Sequence, residues 1–207
     1  MPVPLFTPFV ESFMVQADET PAGTPPASGG PFALTSPAFV ENAVIPTCYT
    51  GDGANVSPPL AWRGAPRGTE SFVLTMVDPD VPFGETVPLY GELPQPGTVS
   101  GDLFVHWLVV DIPAGASALD DAASPGRMPP ETRELKTSFA LFGVEANRYG
   151  GPAPPPKLRA HAYKFTLYAL DTPRLSGLTP DSDHAALTET MAGHVLATAT
   201  LTGYFGH

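Results

Sequence analysis

Apolar and polar positions alternate along short stretches of this chain, and each stretch is closed by proline, glycine or aspartate. In SFVLTMV, Phe72, Leu74 and Met76 share one face while Ser71, Val73, Thr75 and Val77 share the other, the period of two that a pleated strand imposes. YKFTLYALD repeats the pattern, with Tyr163, Phe165, Leu167 and Ala169 opposed to Lys164, Thr166, Tyr168 and Leu170. PFALTSPAF, FVHWLVVDIP and the closing ATATLTGYF are further runs of strand length between breakers. These runs predict strands in a largely antiparallel arrangement. A four-residue spacing appears once, at Leu187, Met191 and Val195, and predicts a helix from about Asp181 to Ala197 with Thr179-Pro180 as its start. A weaker helical segment is expected from Pro130 to about Leu141.

Composition narrows the class. A chain of 207 residues, 43% hydrophobic, can bury one sizeable core. Charged residues make up 15% against 27 Pro and 20 Gly, so much of the backbone must lie in turns, which favours a β-rich fold. Residues 1–31 read as an N-terminal extension and flexible linker, because DETPAGTPPASGGP is poor in large apolar side chains; residues 32–207 read as a single domain.

The net charge is −11, and the 10 Lys and Arg form no basic stripe, which leaves nucleic acid little to bind. No apolar run reaches the ~18 residues of a membrane span, and the N-terminus lacks the pattern of a secretory signal, so a cytoplasmic protein without stable membrane insertion is expected. Cys48, the only cysteine, excludes an intrachain disulfide and reads as a small buried hydrophobe.

Three stretches carry candidate chemistry. In DPDVP, Pro79 and Pro82 end a strand sharply and hold Asp78 and Asp80 in a fixed shape. His106 lies inside an apolar strand, where its ring nitrogens need polar partners such as an aspartate from a neighbouring strand end. YGGPAPPPKLR combines glycines that permit close backbone approach with prolines that stiffen the loop, and the strand after it places His161 and Tyr163 on one side.

Taken together, GDGANVSPPLAW, FVLTMVDPDVP, FVHWLVVDIP, YGGPAPPP with HAYKFTLYALD, and GHVLATATLTGYFG resemble the phosphatidylethanolamine-binding protein family, in its bacterial and archaeal Raf kinase inhibitor-like branch. The resemblance runs from about Phe32 to Gly206. It implies a mainly β fold, a β-sandwich with a large antiparallel sheet and a few short helices near the C-terminal region. It also implies a small cavity at one end of the main sheet for phosphate-like or carboxylate anions. Carried over by motif, the ligand-binding residues are Asp78, Pro82, His106, Gly151, Pro152, His161 and Tyr163.

On that reading a carboxylate beside His106 raises the imidazole pKa and keeps it a donor, with the Tyr163 O–H and backbone N–H groups around Gly151 as further donors. Weak, metal-free and cofactor-free binding of a small anion or phosphorylated ligand follows, and a protein partner such as a kinase would need surface outside the pocket. Two departures stand out. The family's H-R-Y reads His161-Ala162-Tyr163, so the arginine that would pair with Asp80 is missing; and residues 83–103 form a long insert, a lid or a loop hanging from the sheet edge.

Other readings are a hydrolase using Asp78 with His106, a metal site of Asp78, His106 and His161, and a protease-inhibitor-like interaction protein. No G-x-S-x-G, H-E-x-x-H, P-loop or dinucleotide fingerprint supports an enzyme. His184, His194 and His207 read as surface or packing residues.

Overall fold

The computed structural model describes residues 30–81, 86–87, 91–92, 103–156 and 159–207. The extension and linker, Pro82 and most of the 83–103 insert therefore lie outside the described residues. Within the insert, β5 (Thr86–Val87) and β6 (Gly91–Glu92) pair antiparallel.

The long alternating runs form the centre of a six-stranded sheet. Its strands are β2 (Ala43–Val44), β4 (Ser71–Asp78), β7 (Phe104–Pro113), β9 (Arg133–Glu134), β10 (His161–Leu170) and β11 (Val195–Phe205), in the order β2-β11-β10-β4-β7-β9. Pairing is antiparallel except between β2 and β11. A second sheet, β1 (Ala33–Thr35), β3 (Leu60–Arg63) and β8 (Ala118–Leu119), covers one face of the first.

Phe72, Leu74, Met76, Trp107, Val109, Tyr163, Phe165 and Leu167 pack against Leu34, Leu60, Trp62 and Leu119 of that second sheet. The opposite face, with Val73, Val77, Leu108 and Val110, is covered by Leu175, Leu178 and the short helix α1 (His184–Met191) through Leu187 and Met191. Both faces of the central strands are thus buried, so every residue of β4 is buried, Ser71 and Thr75 included. No helix among the described residues is long and apolar enough to cross a membrane.

The two helical expectations need correction. The helix spans only His184–Met191: Asp183 caps it by accepting the Ala186 amide hydrogen, and Gly193, at φ +86°, turns the chain directly into β11. Val195 matched the helical spacing by coincidence and is an exposed strand residue. The 130–141 segment holds β9 and a 3-10 turn at Ser138–Phe142 instead of a helix. Cys48 is exposed, because it sits on a one-turn 3-10 helix at the surface, Thr47–Tyr49. The run PFALTSPAF contributes only β1, where Pro37 and its neighbours end the ladder.

β7 carries two bulges. Phe72 pairs with Ile112 and Leu74 with Val109, so β7 holds one extra residue there, and Asp111 adopts φ +58°. Its buried carboxylate accepts from Arg133 Nε at 2.7 Å and from the Leu175 amide at 2.9 Å, while Arg133 also donates to the Leu175 and Leu178 carbonyls. The 171–178 segment is anchored to the sheet through this network. Asp111→Ala would leave the Arg133 guanidinium and the Leu175 N–H without their acceptor; a loss of about 3–5 kcal/mol is expected, read as a lower urea midpoint with an unchanged m-value.

Candidate functional site

The second bulge in β7 builds the site. Met76 pairs with Trp107 but Val77 pairs with Val105, so His106 is the extra residue. A regular strand would send His106 and Trp107 to opposite faces; the bulge instead turns the His106 ring edge-on to Tyr163, with centroids 5.2 Å apart. Tyr163 is in turn stacked on His161, 6.4 Å away and two residues back along β10. Phe104 and Phe139 close on His106 at 5.1 and 5.4 Å.

Asp78, the last residue of β4, is 2% exposed. Its Oδ2 accepts from His161 Nδ1 at 2.7 Å, and its Oδ1 accepts from the Asp80 amide at 2.7 Å, an Asx-type turn that the flanking proline stiffens. His106 donates through Nδ1 to the Gly150 carbonyl at 2.7 Å, and the Gly150 amide returns a bond of 3.0 Å to the His106 carbonyl.

The expectation that an aspartate would partner His106 is corrected here: the aspartate bonds to the other histidine, and a backbone carbonyl holds His106. The expected rise in the His106 pKa is reversed as well. Burial, the largest effect, pulls the imidazole below its ordinary value and outweighs the opposing pull of Asp78. His106 is therefore a neutral ring at pH 7, with its proton on Nδ1 and a lone pair on Nε2. Tyr163 moves the other way. Burial first, and then the Asp78 carboxylate beside it, push the phenol far above its usual range, so it stays O–H.

Gly151 and Pro152 hold the glycine-proline loop against the segment 49–55. The Gly151 amide donates to Asn55 Oδ1 at 2.7 Å, and the Pro152 carbonyl accepts from the Gly51 amide at 2.7 Å. The Gly151 and Gly150 N–H groups are thus occupied within the protein, which corrects their expected role as ligand donors. Asn55, in the left-handed region at φ +54°, was missed as a loop anchor. Asn55-Val56-Ser57 reads in the sequence only as a glycosylation pattern without a role, and its partner lies 96 residues away.

The absent family arginine has a substitute. Arg159, three residues before Ala162, forms an ion pair with Asp80 Oδ1, and the Ala162 amide donates to Asp80 Oδ2 at 2.9 Å. Asp80 is thereby engaged from both sides. His194 bonds to Asp171 at 2.8 Å, and His207, two residues beyond Phe205, lies 3.6 Å from Asp52. No set of three His, Cys, Asp or Glu suited to a metal occurs among the described residues. Asp78, His106, His161 and Tyr163 thus converge, Gly151 and Pro152 brace the loop behind them, and Pro82 lies outside the described residues.

A family model described as phosphatidylethanolamine-binding protein matches residues 35–206. A protein of Aquifex aeolicus (strain VF5) named UPF0098 protein is 34% identical over 180 residues, covering 86% of this chain and 91% of that one. The Escherichia coli (strain K12) UPF0098 protein YbhB is 37% identical over 161 residues, 74% of this chain and 84% of its own. Among solved structures, E. coli YbcL, titled a new member of the mammalian PEBP family, aligns with a TM-score of 0.71 at 27% identity, over 86% of this chain and 99% of that one.

A Cβ added at Gly151 would fall 2.5 Å from the Tyr49 carbonyl oxygen and 2.8 Å from Thr50 Cα, both backbone atoms. Gly151→Ala should therefore displace the loop at a cost of about 2 kcal/mol. The melting temperature should drop by about 4–8 °C, measured by circular dichroism.

Proposed function

The chain belongs to the phosphatidylethanolamine-binding protein family, and on that footing we propose that it binds small phosphate-like or carboxylate anions without turning them over, at the cluster of Asp78, His106, His161 and Tyr163. One observation carries the reading: two buried imidazoles are tied down through Nδ1, to Gly150 and to Asp78, so Nε2 is the atom each has to offer. The Tyr163 ring, edge-on to His106 and stacked on His161, brings a third polar group that stays protonated. Rings fixed in tautomer and angle form a pre-organised site, which lowers the ordering cost of binding a small ligand.

A neutral His106 meets an oxyanion with a lone pair. The anion must therefore bring a proton, on itself or by protonating His106 as it binds. Asp78 favours that step, since its carboxylate pulls the His106 pKa upward against burial. A phosphorylated group on a larger molecule would use the same chemistry, and a protein partner, a kinase included, would add contacts outside the cluster. The hydrolytic alternative through Asp78 and His106 lacks its pairing, because Asp78 is bonded to His161.

Titration with inorganic phosphate and phosphoethanolamine, followed by calorimetry, should give saturable weak binding that His106→Ala and His161→Ala each reduce about tenfold, as loss of a hydrogen bond to a charged group predicts. Indifference to both substitutions would remove the assignment. Sulfate, whose charge is constant between pH 8 and 5, separates the linkage. His106 has a lowered pKa when free and a higher one beside a bound anion, so binding takes up a proton and sulfate affinity should rise as pH falls below 7. A flat profile would mean that His106 keeps its protonation state on binding.

A further inference from the structure

One oxygen atom outside every motif of the site holds both halves of it together. Glu134 lies on β9, opposite Val109 of β7, so its side chain shares a sheet face with Val109 and Trp107. Its Oε1 accepts from Trp107 Nε1 at 2.7 Å and from the Ser124 hydroxyl. Ser124 has a single proton to give. With that proton committed to Glu134, a lone pair of the same hydroxyl faces the Tyr149 amide, which donates to it at 2.8 Å.

The next residue is Gly150, which exchanges two hydrogen bonds with His106, one in each direction. Trp107 is the chain neighbour of His106. The Glu134 oxygen therefore fixes the His106 strand through Trp107 and the opposing loop through Ser124, and the gap between them sets the angle of the imidazole.

We propose that Glu134 is a positioning residue for His106: its carboxylate sets the Ser124 proton, which registers the Tyr149-Gly150 peptides against β7 and keeps the His106 proton on Nδ1, with Nε2 open to the anion. Its significance for binding rests on the anion-site reading above; the coupling to His106 does not. Burial raises the Glu134 pKa, and the bonds from Ser124 and Trp107 oppose that rise and favour the carboxylate form of this half-buried side chain. Ser57 Oγ, which accepts from the Ser124 amide at 3.1 Å, holds that serine in place from the other side.

The test is the 15N signature of the His106 ring in the ligand-free protein, compared among wild type, Glu134→Gln, Glu134→Leu and Ser124→Ala. Glutamine keeps a carbonyl oxygen able to accept both bonds, so Glu134→Gln should keep the Nδ1–H pattern. Glu134→Leu and Ser124→Ala should each move the two ring nitrogens toward a mixture of tautomers and weaken inorganic phosphate binding by about tenfold. Ser124→Ala removes one oxygen from the core and carries the test should Glu134→Leu fail to fold. An unchanged His106 pattern in folded Ser124→Ala would overturn the inference. A shifted pattern in a protein whose wild type does not bind phosphate would uphold it and remove the anion-site reading instead.

Discussion

A carboxylate almost sealed from water at the end of a β-sandwich is the constraint on which this site depends. Asp78 cannot remain there unless N–H groups face it, and two do: the imidazole of His161, from the adjacent strand, and the amide of Asp80, from its own turn. The first of these bonds fixes which nitrogen of His161 carries a proton. The second folds the corner back on itself, so that Asp80 meets Arg159 and the Ala162 amide at the rim. Satisfying one acid thus shapes the strand end, the neighbouring ring and the charge balance outside.

The two histidines each place a proton on Nδ1, by different routes. His161 is oriented by a charged acceptor, whereas His106 is oriented by a backbone carbonyl on a loop that Asn55, Ser124 and Tyr49 hold in place; Tyr49 contributes the carbonyl that receives the Tyr149 hydroxyl at 2.7 Å. Backbone acceptors leave the ring neutral, and burial reinforces that state. A pair with one ring beside a carboxylate and the other beside a carbonyl is electrostatically asymmetric.

Much of the fold was legible. Period-two alternation located β4 and β10 because each is long, and their breakers lie next to the observed ends. The β7 run was legible as a strand but not in its facing, since a bulge adds no distinctive residue and His106 looks like any other member of the alternation. The last helix was overextended because Val195 continued a four-residue spacing past Gly193, the stronger signal.

In the site, Asp78, His106, His161 and Tyr163 could be named from motif order. The wrong histidine was paired with Asp78, because sequence order holds no information on which of two rings a carboxylate faces. Asn55, Glu134 and Arg159 were out of reach for a related reason: each acts on partners between 10 and 96 residues away, through contacts that leave no local pattern.

The six-stranded sheet begins and ends on strands of only two residues, β2 and β9. β2 meets β11 only at Gly203 and Tyr204, so along residues 195–201 no strand among the described residues pairs with the outer edge of β11, and that stretch is the part of the sheet open to addition of a foreign strand.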